Sequence, residues 1–599
     1  MTRFIEVIKN ISKTFPLFLQ SSKIYTIILL IIIPLQGILP AVSLWITKRI
    51  IDEVMNLSSS FTNHLVMLVI FWILFVLLTS LLSPLEMTFQ GLMTDKMVSK
   101  LNINLMGKSN DLKGISYYES DTFYNDIQIL EQEAAWRPVN LIVFTAGVLR
   151  SIITTVSMFI LLSTFNIWIS LFIIVSIIPQ AIITYKLQKE AFETLVMRSP
   201  EARKMNYYSN VLLSKDYAQE VRLFNTSKFF IKKYLESFNR IHSNVKDVRF
   251  RQLIYSSIFT FIAVIGIGLS FWWIVKQVVI GNATAGDILI FSSAIILARQ
   301  SLASMIEDSS LLYDTALYME KYFNFMNLES DIVLDGKLRI EDSQINLEFN
   351  NVSFVYPNSK NMVLNNLSFN LRNGENLALV GENGSGKTTI IKLILRLYDP
   401  VKGSILLNGI DIRNYDIEDY RKLISTVFQD YSRYSLSFKE NIILSDLNQN
   451  DKQRYGNIIE SFDFSSLLNT FPNAEEQILS KSFEGGTELS SGQWQKISVA
   501  RANYRDSKLL IMDEPSASLD AKNEEWLINN LESLGDSKTV LLVTHRLSAL
   551  RIVDNIIYLK NGEITERGTV EELINNKEDF YKMYMMQKNK FKVKTSDVE

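Results

Sequence analysis

The chain has 599 residues, a formal net charge of −2 at pH 7 and no cysteine. This length exceeds that of a single domain, and the nearly balanced charge argues against a globally basic nucleic-acid-binding protein. The absence of cysteine excludes a disulfide scaffold, a thiolate metal site and a cysteine nucleophile. The three histidines, His64, His242 and His545, are too widely separated to predict a zinc cluster.

Long apolar stretches occupy the first half of the chain. A helix needs about 20 apolar residues to cross a bilayer, and six stretches reach that length. The first is too long for a signal peptide, so we read it as a retained span, which Pro34 and Pro40 are expected to kink without ending. The six predicted spans are Ile24–Ile46, Leu65–Leu85, Val139–Ser163, Ile167–Tyr185, Leu253–Val275 and Ile288–Ser309.

The distribution of basic residues predicts the orientation of these spans. Lysine and arginine are frequent between the fourth and fifth spans and rare in the short connections on the other side. Lys48, Arg49 and Lys276 at the outer ends of their spans run against this trend but are outnumbered. The positive-inside rule therefore places both termini and the two long connections, 87–138 and 186–252, in the cytoplasm.

Each long connection contains a compact segment of mixed aromatic and charged residues. These are YYESDTFYNDI at 117–127 and AQEVRLFN at 218–225. Each could mark the point where a helical excursion from the membrane turns back, and we expect both to dock onto the soluble half of the chain. The alternative is that they are ordinary tips of helical hairpins.

Four charged residues fall within the predicted spans or at their inner end: Arg150, Arg299, Glu307 and Asp308. Charges inside a bilayer are costly and usually face a cavity or a charged partner. One interpretation gives them a role in a translocation pathway. The other is pairing between helices or snorkelling to the inner headgroups.

From Asn346 the pattern changes to short strand-like runs, and a glycine-rich loop follows. The sequence GENGSGKTT at 381–389 fits G-x-x-x-x-G-K-[ST] between a strand and a helix. Its glycines let backbone N–H groups approach phosphates, Lys387 offers a charge to the outer phosphates, and the Thr388 hydroxyl can ligate Mg²⁺. The loop therefore predicts nucleotide binding.

Further on, KLLIMDEPSASLD at 508–520 is an apolar strand that ends in two carboxylates. Asp513 is placed to hold Mg²⁺ through water, and Glu514 is placed to polarise the attacking water as a general base. An Asp-Glu pair after a buried strand can also cap a turn. Its position downstream of a phosphate loop favours the catalytic interpretation.

A second anion cradle is predicted in ELSSGQWQKISVAR at 488–501. Its Ser/Gly turn opens an amphipathic stretch, and the N-terminus of a helix presents free N–H groups and the positive end of a dipole. The residues of this cradle are Ser490, Ser491, Gly492 and Gln493.

In this order the motifs resemble those of the ABC exporter family, and the resemblance covers nearly all of the chain. In that family an adenine-stacking aromatic residue, Walker A, a Q-loop, the LSGGQ signature, Walker B, a D-loop and a switch histidine follow one another. The corresponding positions here are Tyr356 in FVYP, 381–388, Gln429 in TVFQDY, 489–493, 509–514, Ser518–Asp520 and His545 in VTHRL.

The resemblance implies an α-helical, six-span transmembrane domain of the type I exporter kind, followed by an α/β P-loop ATP-binding cassette. It implies an ATP hydrolase coupled to transport, with ATP and Mg²⁺ as cofactors. The implied domains are a transmembrane domain at 1–325, a linker at 326–345, a cassette at 346–587 and a polar tail at 588–599. The implied catalytic residues are Glu514, His545, Gln429 and Lys387; the Mg²⁺ ligands are Thr388, Gln429 and Asp513; the nucleotide-binding residues are Tyr356, Gly381, Asn383, Gly384, Ser385, Gly386, Lys387, Thr388, Thr389, Ser490, Gly492 and Gln493.

One cassette and six spans make half of the family's usual assembly. In that family the signature of one cassette closes over ATP held by Walker A of another, which implies a homodimer. Ser491 stands where the family has a glycine. A serine is tolerable there if φ is negative, and it costs about 1 kcal/mol or more if φ is positive.

Three shorter sequence features indicate which subgroup of exporters the chain resembles and therefore which cargo it moves. FQDYSRYSLSFKENI at 428–442, YESDTFYNDI with the later WRP, and SSGQWQKISVAR with Trp494 resemble nisin-type lantibiotic exporters more than drug or lipid exporters. We therefore expect export of a modified antimicrobial precursor peptide across the bacterial cytoplasmic membrane, with a lantibiotic synthetase complex as a candidate partner and no nucleic-acid partner.

Two further points bear on this cargo. Many bacteriocin exporters remove the leader with an N-terminal cysteine protease; since this chain has no cysteine, we expect another protein to remove any leader. A lipid or multidrug exporter is the alternative within transport, and a membrane-bound ATP-dependent peptide sensor or immunity factor is the alternative outside it.

Overall fold

The chain forms two compact units. One consists of Met1–Ser109 with Asn125–Leu328, and the other of Asn110–Tyr124 with Glu329–Glu599. The first is helical, and the second contains two β-sheets. The computed structural model describes residues 2–55, 63–168, 200–340, 344–357, 359–448, 451–515, 521–535 and 538–591, together with isolated positions between 170 and 190.

Long helices make up the first unit. Within the described residues five helices are long and apolar enough to cross a membrane, and they contain the first, second, third, fifth and sixth predicted spans. The predicted fourth span, Ile167–Tyr185, lies almost entirely outside the described residues. In chain order the described helices up to residue 326 are α1 Thr2–Ser21, α2 Lys23–Met55, α3 Asn63–Asp111, α4 Asp121–Glu133, α5 Arg137–Ser163, α6 Pro200–Leu213, α7 Ala218–Leu223, α8 Ser227–Ile280 and α9 Ala285–Met326.

Local sequence explains how these helices bend and end. Helix α2 continues through Pro34 and Pro40, as the sequence predicts. Helix α8 stops at Gly281, whose φ of 85° is left-handed and favours glycine. Helix α9 then begins with a capping box in which the Thr284 side chain accepts the Asp287 N–H and the Asp287 carboxylate accepts the Thr284 N–H. The connection between the two helices is therefore only a few residues long.

Two of the four charged residues singled out above, Arg150 and Asp308, contact a neighbouring helix. The Arg150 guanidinium on α5 donates to Glu86 Oε2 on α3 at 2.9 Å and to Gln36 Oε1 on α2 at 3.2 Å. Asp308 on α9 packs against Gly147 on α5, where an added Cβ would lie 2.2 Å from a carboxylate oxygen of the aspartate. For Arg150 the structure therefore shows interhelical pairing, the second of the two interpretations above.

The second unit contains two β-sheets. One has four antiparallel strands in the order β2-β1-β4-β5. The other has six strands in the order β10-β9-β3-β8-β7-β6, parallel except for the β9–β10 pair. The strands are β1 Leu347–Phe354, β2 Leu364–Leu371, β3 Asn376–Gly381, β4 Lys402–Leu407, β5 Ile410–Asp411, β6 Ile424–Val427, β7 Leu509–Asp513, β8 Thr539–Val543, β9 Asn555–Lys560 and β10 Glu563–Gly568.

Helices cover the sheets of this unit, and three short 3-10 turns, Ile412–Asn414, Ala474–Glu476 and Leu547–Ile552, connect described elements. The α-helices are α10 Lys387–Ile394, α11 Ile417–Lys422, α12 Phe438–Ile443, α13 Lys452–Ser461, α14 Ser465–Leu468, α15 Ser491–Tyr504, α16 Ala521–Gly535, α17 Val570–Asn576 and α18 Asp579–Phe591.

The central strands of the six-stranded sheet are almost wholly apolar because both faces of the sheet are covered. Strand β7 reads LLIMD and β8 reads TVLLV, and every residue of both is buried. Each fully buried leucine, isoleucine or valine contributes about 1.5–3 kcal/mol to folding. Because β3, β6, β7 and β8 run parallel, their carboxyl ends open at one edge, where α/β sheets bind ligands.

Candidate active site

Four functional segments meet at this carboxyl edge. Strand β3 ends at Gly381 and leads into the phosphate loop, and β7 ends at Asp513. Gln429 follows β6 by two residues, and His545 follows β8 by two residues. The sheet therefore brings together residues that are far apart in the sequence.

Two glycines of the phosphate loop have no room for a side chain. Gly386 precedes α10 with a left-handed φ of 105°, and a Cβ on it would lie 2.5 Å from the Leu364 side chain. A Cβ on Gly381 would lie 2.2 Å from the Leu559 carbonyl oxygen. Only glycine lets the backbone of the loop turn this closely against its neighbours.

Polar groups of this loop are available to an anion. Asn383 and Gly384 are exposed, and the buried Ser385 Oγ has no hydrogen-bond partner within the described part of the chain. Lys387 Nζ donates to two carbonyl oxygens of the same loop at 2.8 and 2.9 Å. Oriented N–H groups, an unpaired hydroxyl and an ammonium group suit a polyphosphate.

Burial and neighbouring charges shift the pKa values of the ionisable groups. Burial lowers the pKa of Lys387, and the carboxylates of Glu514 and Asp513 oppose this shift. Burial raises the pKa of Asp513, and the hydrogen bond from Thr388 opposes it. Perturbed pKa values of this kind are typical of functional sites.

Thr388 and Asp513 fit a Mg²⁺ ion. The Thr388 hydroxyl donates to Asp513 Oδ2 at 3.1 Å, so two oxygen ligands already lie side by side. No group of three or more histidine, aspartate or glutamate side chains could hold a metal among the residues that were described. The protein thus supplies few ligands, which suits Mg²⁺ because this ion keeps several waters and binds nucleotide phosphates.

Glu514, His545 and Gln429 lie together beside this pair. Glu514 Oε1 is 2.9 Å from His545 Nε2, and Glu514 Oε2 accepts a hydrogen bond from Gln429 Nε2 at 3.5 Å. The approach of the histidine is close but not aligned as a hydrogen bond, so Nε2 can still bind another group. Burial and the charge of Lys387 lower the pKa of His545, although Glu514 opposes them, and this direction favours the neutral imidazole.

The backbone at Glu514 is left-handed, with φ of 48°. This conformation is uncommon for a residue with a side chain and is typical of functional sites. The Glu514 N–H donates to the Val543 carbonyl at 2.9 Å, which ties the residue to the end of β8. The sheet therefore fixes the turn from which this carboxylate projects.

Tyr356 follows β1 and is half-buried. Its hydroxyl shares a hydrogen bond of 3.0 Å with Thr389 Oγ1 in the phosphate loop. Its ring meets the Tyr398 ring edge-on, with centroids 5.5 Å apart. The aromatic residue predicted to stack on adenine is thus anchored directly to the loop predicted to hold the phosphates.

The signature residues form the start of α15. Ser490 and Gln493 close a capping box: Gln493 N–H donates to Ser490 Oγ at 3.3 Å, and Ser490 N–H donates to Gln493 Oε1 at 2.9 Å. Ser491 is the first residue of the helix and is not among the non-glycine residues with positive φ. The serine therefore carries no backbone cost, and Gly492 follows it within the helix.

The predicted D-loop, Ser518–Asp520, lies outside the described residues. The sequence did not single out Lys392 and Tyr398, which contact the Tyr356 ring, or Glu119, which lies in the predicted docking segment 117–127. Lys392 Nζ donates to Glu119 Oε1 at 2.7 Å. A sequence signal was available for the lysine, because it follows Thr388 by one helical turn and so shares its face of α10.

Known proteins share these motifs and this fold. Residues 364–517 match the family model described as ABC transporter. The subtilin transport ATP-binding protein SpaT of Bacillus subtilis is 29% identical over 575 residues, which cover 95% of this chain and 92% of the relative. The nisin transport ATP-binding protein NisT of Lactococcus lactis subsp. lactis is 27% identical over 591 residues, which cover 97% of each.

A lipid transporter and a solved exporter structure are also similar to this chain. An ATP-dependent lipid A-core flippase of Shigella flexneri is 30% identical over 309 residues, 52% of each chain. A solved bacterial Atm1-family ABC exporter with ATP bound matches with a TM-score of 0.77 at 18% identity, covering 94% of this chain and 98% of the other. This confirms the predicted fold class, a helical type I exporter region followed by an ATP-binding cassette. Residues 364–517 thus belong to an ABC transporter ATP-binding domain, which is fused to a helical domain with the fold of a type I exporter; the ATP-binding domain binds ATP with Mg²⁺, and its ATP hydrolysis is coupled to transport.

Proposed function

We propose that this chain exports a modified antimicrobial precursor peptide of the lantibiotic type. The assignment of this cargo rests on how much of the chain is similar to each relative. The subtilin and nisin transport proteins match over 95% and 97% of the chain, whereas the lipid A-core flippase matches over 52%. A match along the whole length includes both the membrane-spanning helices that a cargo must pass and the ATP-binding cassette, whereas a match along half of the chain need not include both.

In the proposed active site Glu514 is the general base that takes a proton from the attacking water. Gln429 and His545 contact its carboxylate and are placed to orient the water and the outer phosphate. Lys387 balances the charge of the outer phosphates. A bound Mg²⁺ supplies further neutralisation of phosphate charge. The proposed Mg²⁺ ligands are Thr388, Gln429 and Asp513.

The second anion cradle is the reason to propose a homodimer. The capping box of Ser490 and Gln493 uses two backbone N–H groups and fixes the first turn of α15, and Gly492 adds no side chain to that turn. A helix N-terminus is an anion site, so this one suits the outer phosphate of ATP bound by the phosphate loop of a second copy. ATP would then join the two cassettes, and hydrolysis would release them.

The segments 117–127 and 218–225 are proposed to pass this closure to the spans. Residues 110–124 group with the cassette, where Lys113 Nζ donates to Glu418 Oε1 at 3.0 Å. In the other segment Leu223 is 77% exposed and Phe224 is 65% exposed, which gives it an apolar docking surface.

We also propose the domain boundaries, the orientation in the membrane, a role for two charged residues and a partner complex. The domain boundaries are 1–325, 326–345, 346–587 and 588–599, and both termini face the cytoplasm of a bacterial cell. Arg299 and Glu307 keep a proposed role in the pathway. A lantibiotic synthetase complex is the proposed supplier of the modified peptide.

The deciding experiment measures ATP hydrolysis by the purified full-length protein in lipid nanodiscs, with Glu514→Gln as the inactive control. A leader-bearing lantibiotic precursor, hydrophobic drugs and lipids are titrated separately. Saturable stimulation by the precursor, with ATP-dependent uptake into inside-out vesicles, is the expected result. Stimulation by lipids or drugs alone would move the cargo to those classes. Stimulation by the precursor without uptake would favour a sensor or immunity factor.

A further inference from the structure

A lysine on α10 connects the predicted adenine-stacking residue with the segment 110–124. Lys392 Nζ lies over the Tyr356 ring, 5.3 Å from its centroid, and 5.8 Å from the centroid of Tyr398. The same ammonium group donates to Glu119 Oε1 at 2.7 Å. One side chain thus contacts both the nucleotide-binding region and the turn that follows α3.

Glu119 is held from a second side. The Tyr398 hydroxyl donates to its other carboxylate oxygen. Although burial favours the neutral acid, the hydrogen bonds from Lys392 and Tyr398 keep the pKa of Glu119 below its usual value. The carboxylate is therefore charged at neutral pH, and its ion pair with Lys392 persists there.

The Tyr356 ring is fixed by several neighbours. Its hydroxyl shares a hydrogen bond with Thr389, and the rings of Phe354 and Tyr398 pack at near right angles to its ring, with centroid distances of 5.0 and 5.5 Å. Lys392 adds a cation over the ring itself. With this cation over one face of the ring, an adenine ring would stack on the opposite face.

We propose that Lys392 is a positioning residue that orients Tyr356 for the adenine ring, and that Glu119 sets the position of Lys392. Nucleotide affinity then depends on the conformation of segment 110–124. By thermodynamic reciprocity, nucleotide binding favours one conformation of that segment to the same extent. The proposal rests on the proposed function in one respect, namely that this segment moves with the spans during transport.

The test compares ADP with inorganic pyrophosphate, which offers phosphates but no base and avoids hydrolysis. Dissociation constants are measured with Mg²⁺ on the full-length protein in nanodiscs, by competition with a fluorescent nucleotide. Lys392→Met should weaken ADP binding about fivefold, the size of a partly buried cation–π contact, and leave pyrophosphate binding unchanged. Lys392→Arg should retain the binding of both.

The role of Glu119 is tested through non-additivity. Glu119→Gln should weaken ADP binding about threefold, and the double variant with Lys392→Met should be no weaker than Lys392→Met alone, since both act through one contact. The matched control for Glu119→Gln is Glu418→Gln. Glu418 lies in α11 and pairs with Lys113, so this variant also removes an ion pair of segment 110–124, but one that does not involve Lys392. Lys402→Met replaces an exposed lysine of the second unit and controls for the substitution itself. Neither control should change the ratio of the two affinities.

Three results would overturn the proposal. Lys392→Met could weaken ADP and pyrophosphate equally, which would mean that the phosphate loop itself is loosened. ADP affinity could stay unchanged, or Glu418→Gln could act as strongly as Glu119→Gln. These measurements use no cargo, so their failure leaves peptide export standing, and failure of the precursor to stimulate hydrolysis leaves this linkage standing.

Discussion

Replacing Trp494 with phenylalanine separates a packing role from a role in cargo recognition. Trp494 lies in the part of the chain that resembles lantibiotic exporters, yet its side chain is only 2% exposed and belongs to a hydrophobic cluster with Val427, Ile497 and Met512. Its indole Nε1 has no hydrogen-bond partner among the described residues. We therefore expect the residue to act on the stability of the cassette and not on cargo.

Two opposing effects set the magnitude. The smaller ring leaves a cavity of roughly 40 Å³, which at about 24 cal/mol per Å³ destabilises by about 1 kcal/mol, and the lost apolar area adds a similar amount. Removing a buried N–H group without a partner recovers about 1–3 kcal/mol. The net change should stay within about 1 kcal/mol, or about 2–4 °C in Tm. Trp494→Ala should cost about 3–5 kcal/mol.

The assay is thermal unfolding of the full-length protein in nanodiscs, followed by circular dichroism because the substitution alters tryptophan fluorescence. ATP hydrolysis with and without the precursor peptide is measured on the same samples. Trp494→Phe should retain both the stability and the stimulation. A loss as large as that of Trp494→Ala would refute the reasoning, since it would require a bonded indole N–H. A changed choice among peptides would refute the packing role.

Three further predictions concern the cassette. Glu514→Gln should leave nucleotide binding intact and lower phosphate release about 10²–10⁴-fold, the contribution of a general base; normal turnover would remove that role. Ser491→Gly should change ATP hydrolysis less than about twofold, because Ser491 is already helical without positive φ; a large gain would mean that the serine impairs closure. Burial and the charge of Arg454 lower the pKa of Lys538 to about 8. Because the unfolded chain then binds more protons between about pH 8 and 10.5, the free energy of unfolding should rise with pH in that window. Lys538→Met should remove this rise in denaturation curves measured at several pH values, and an identical rise in the variant would contradict the shift.

Features that depend on neighbouring residues could be predicted from the sequence. The phosphate loop, the strand ending at Asp513 and the helix beginning at Ser491 each follow from a short pattern with a direct backbone cause. The same holds for the continuous helix through Pro34 and Pro40. Their common edge position follows once the strands are known to be parallel, because the carboxyl ends of such strands open on one side.

Features that depend on pairing between distant residues could not be predicted. The contact of Arg150 with Glu86 joins two spans, and no single-sequence pattern specifies which helix faces which. The bond from Lys392 to Glu119 joins residues 273 positions apart. Trp494 shows the related problem for burial, because the sequence shows it only as part of a likeness to lantibiotic exporters, and nothing in that pattern predicts that the fold encloses it in the core.

The left-handed turn at Glu514 also has a consequence for engineering. A side chain held at φ of 48° carries a local penalty of about 1–2 kcal/mol that glycine would avoid. Glu514→Gly should therefore raise the stability of the cassette while it removes the proposed base. Selection for thermostability alone would therefore favour this substitution, and the selected variants would be more stable but less active in transport.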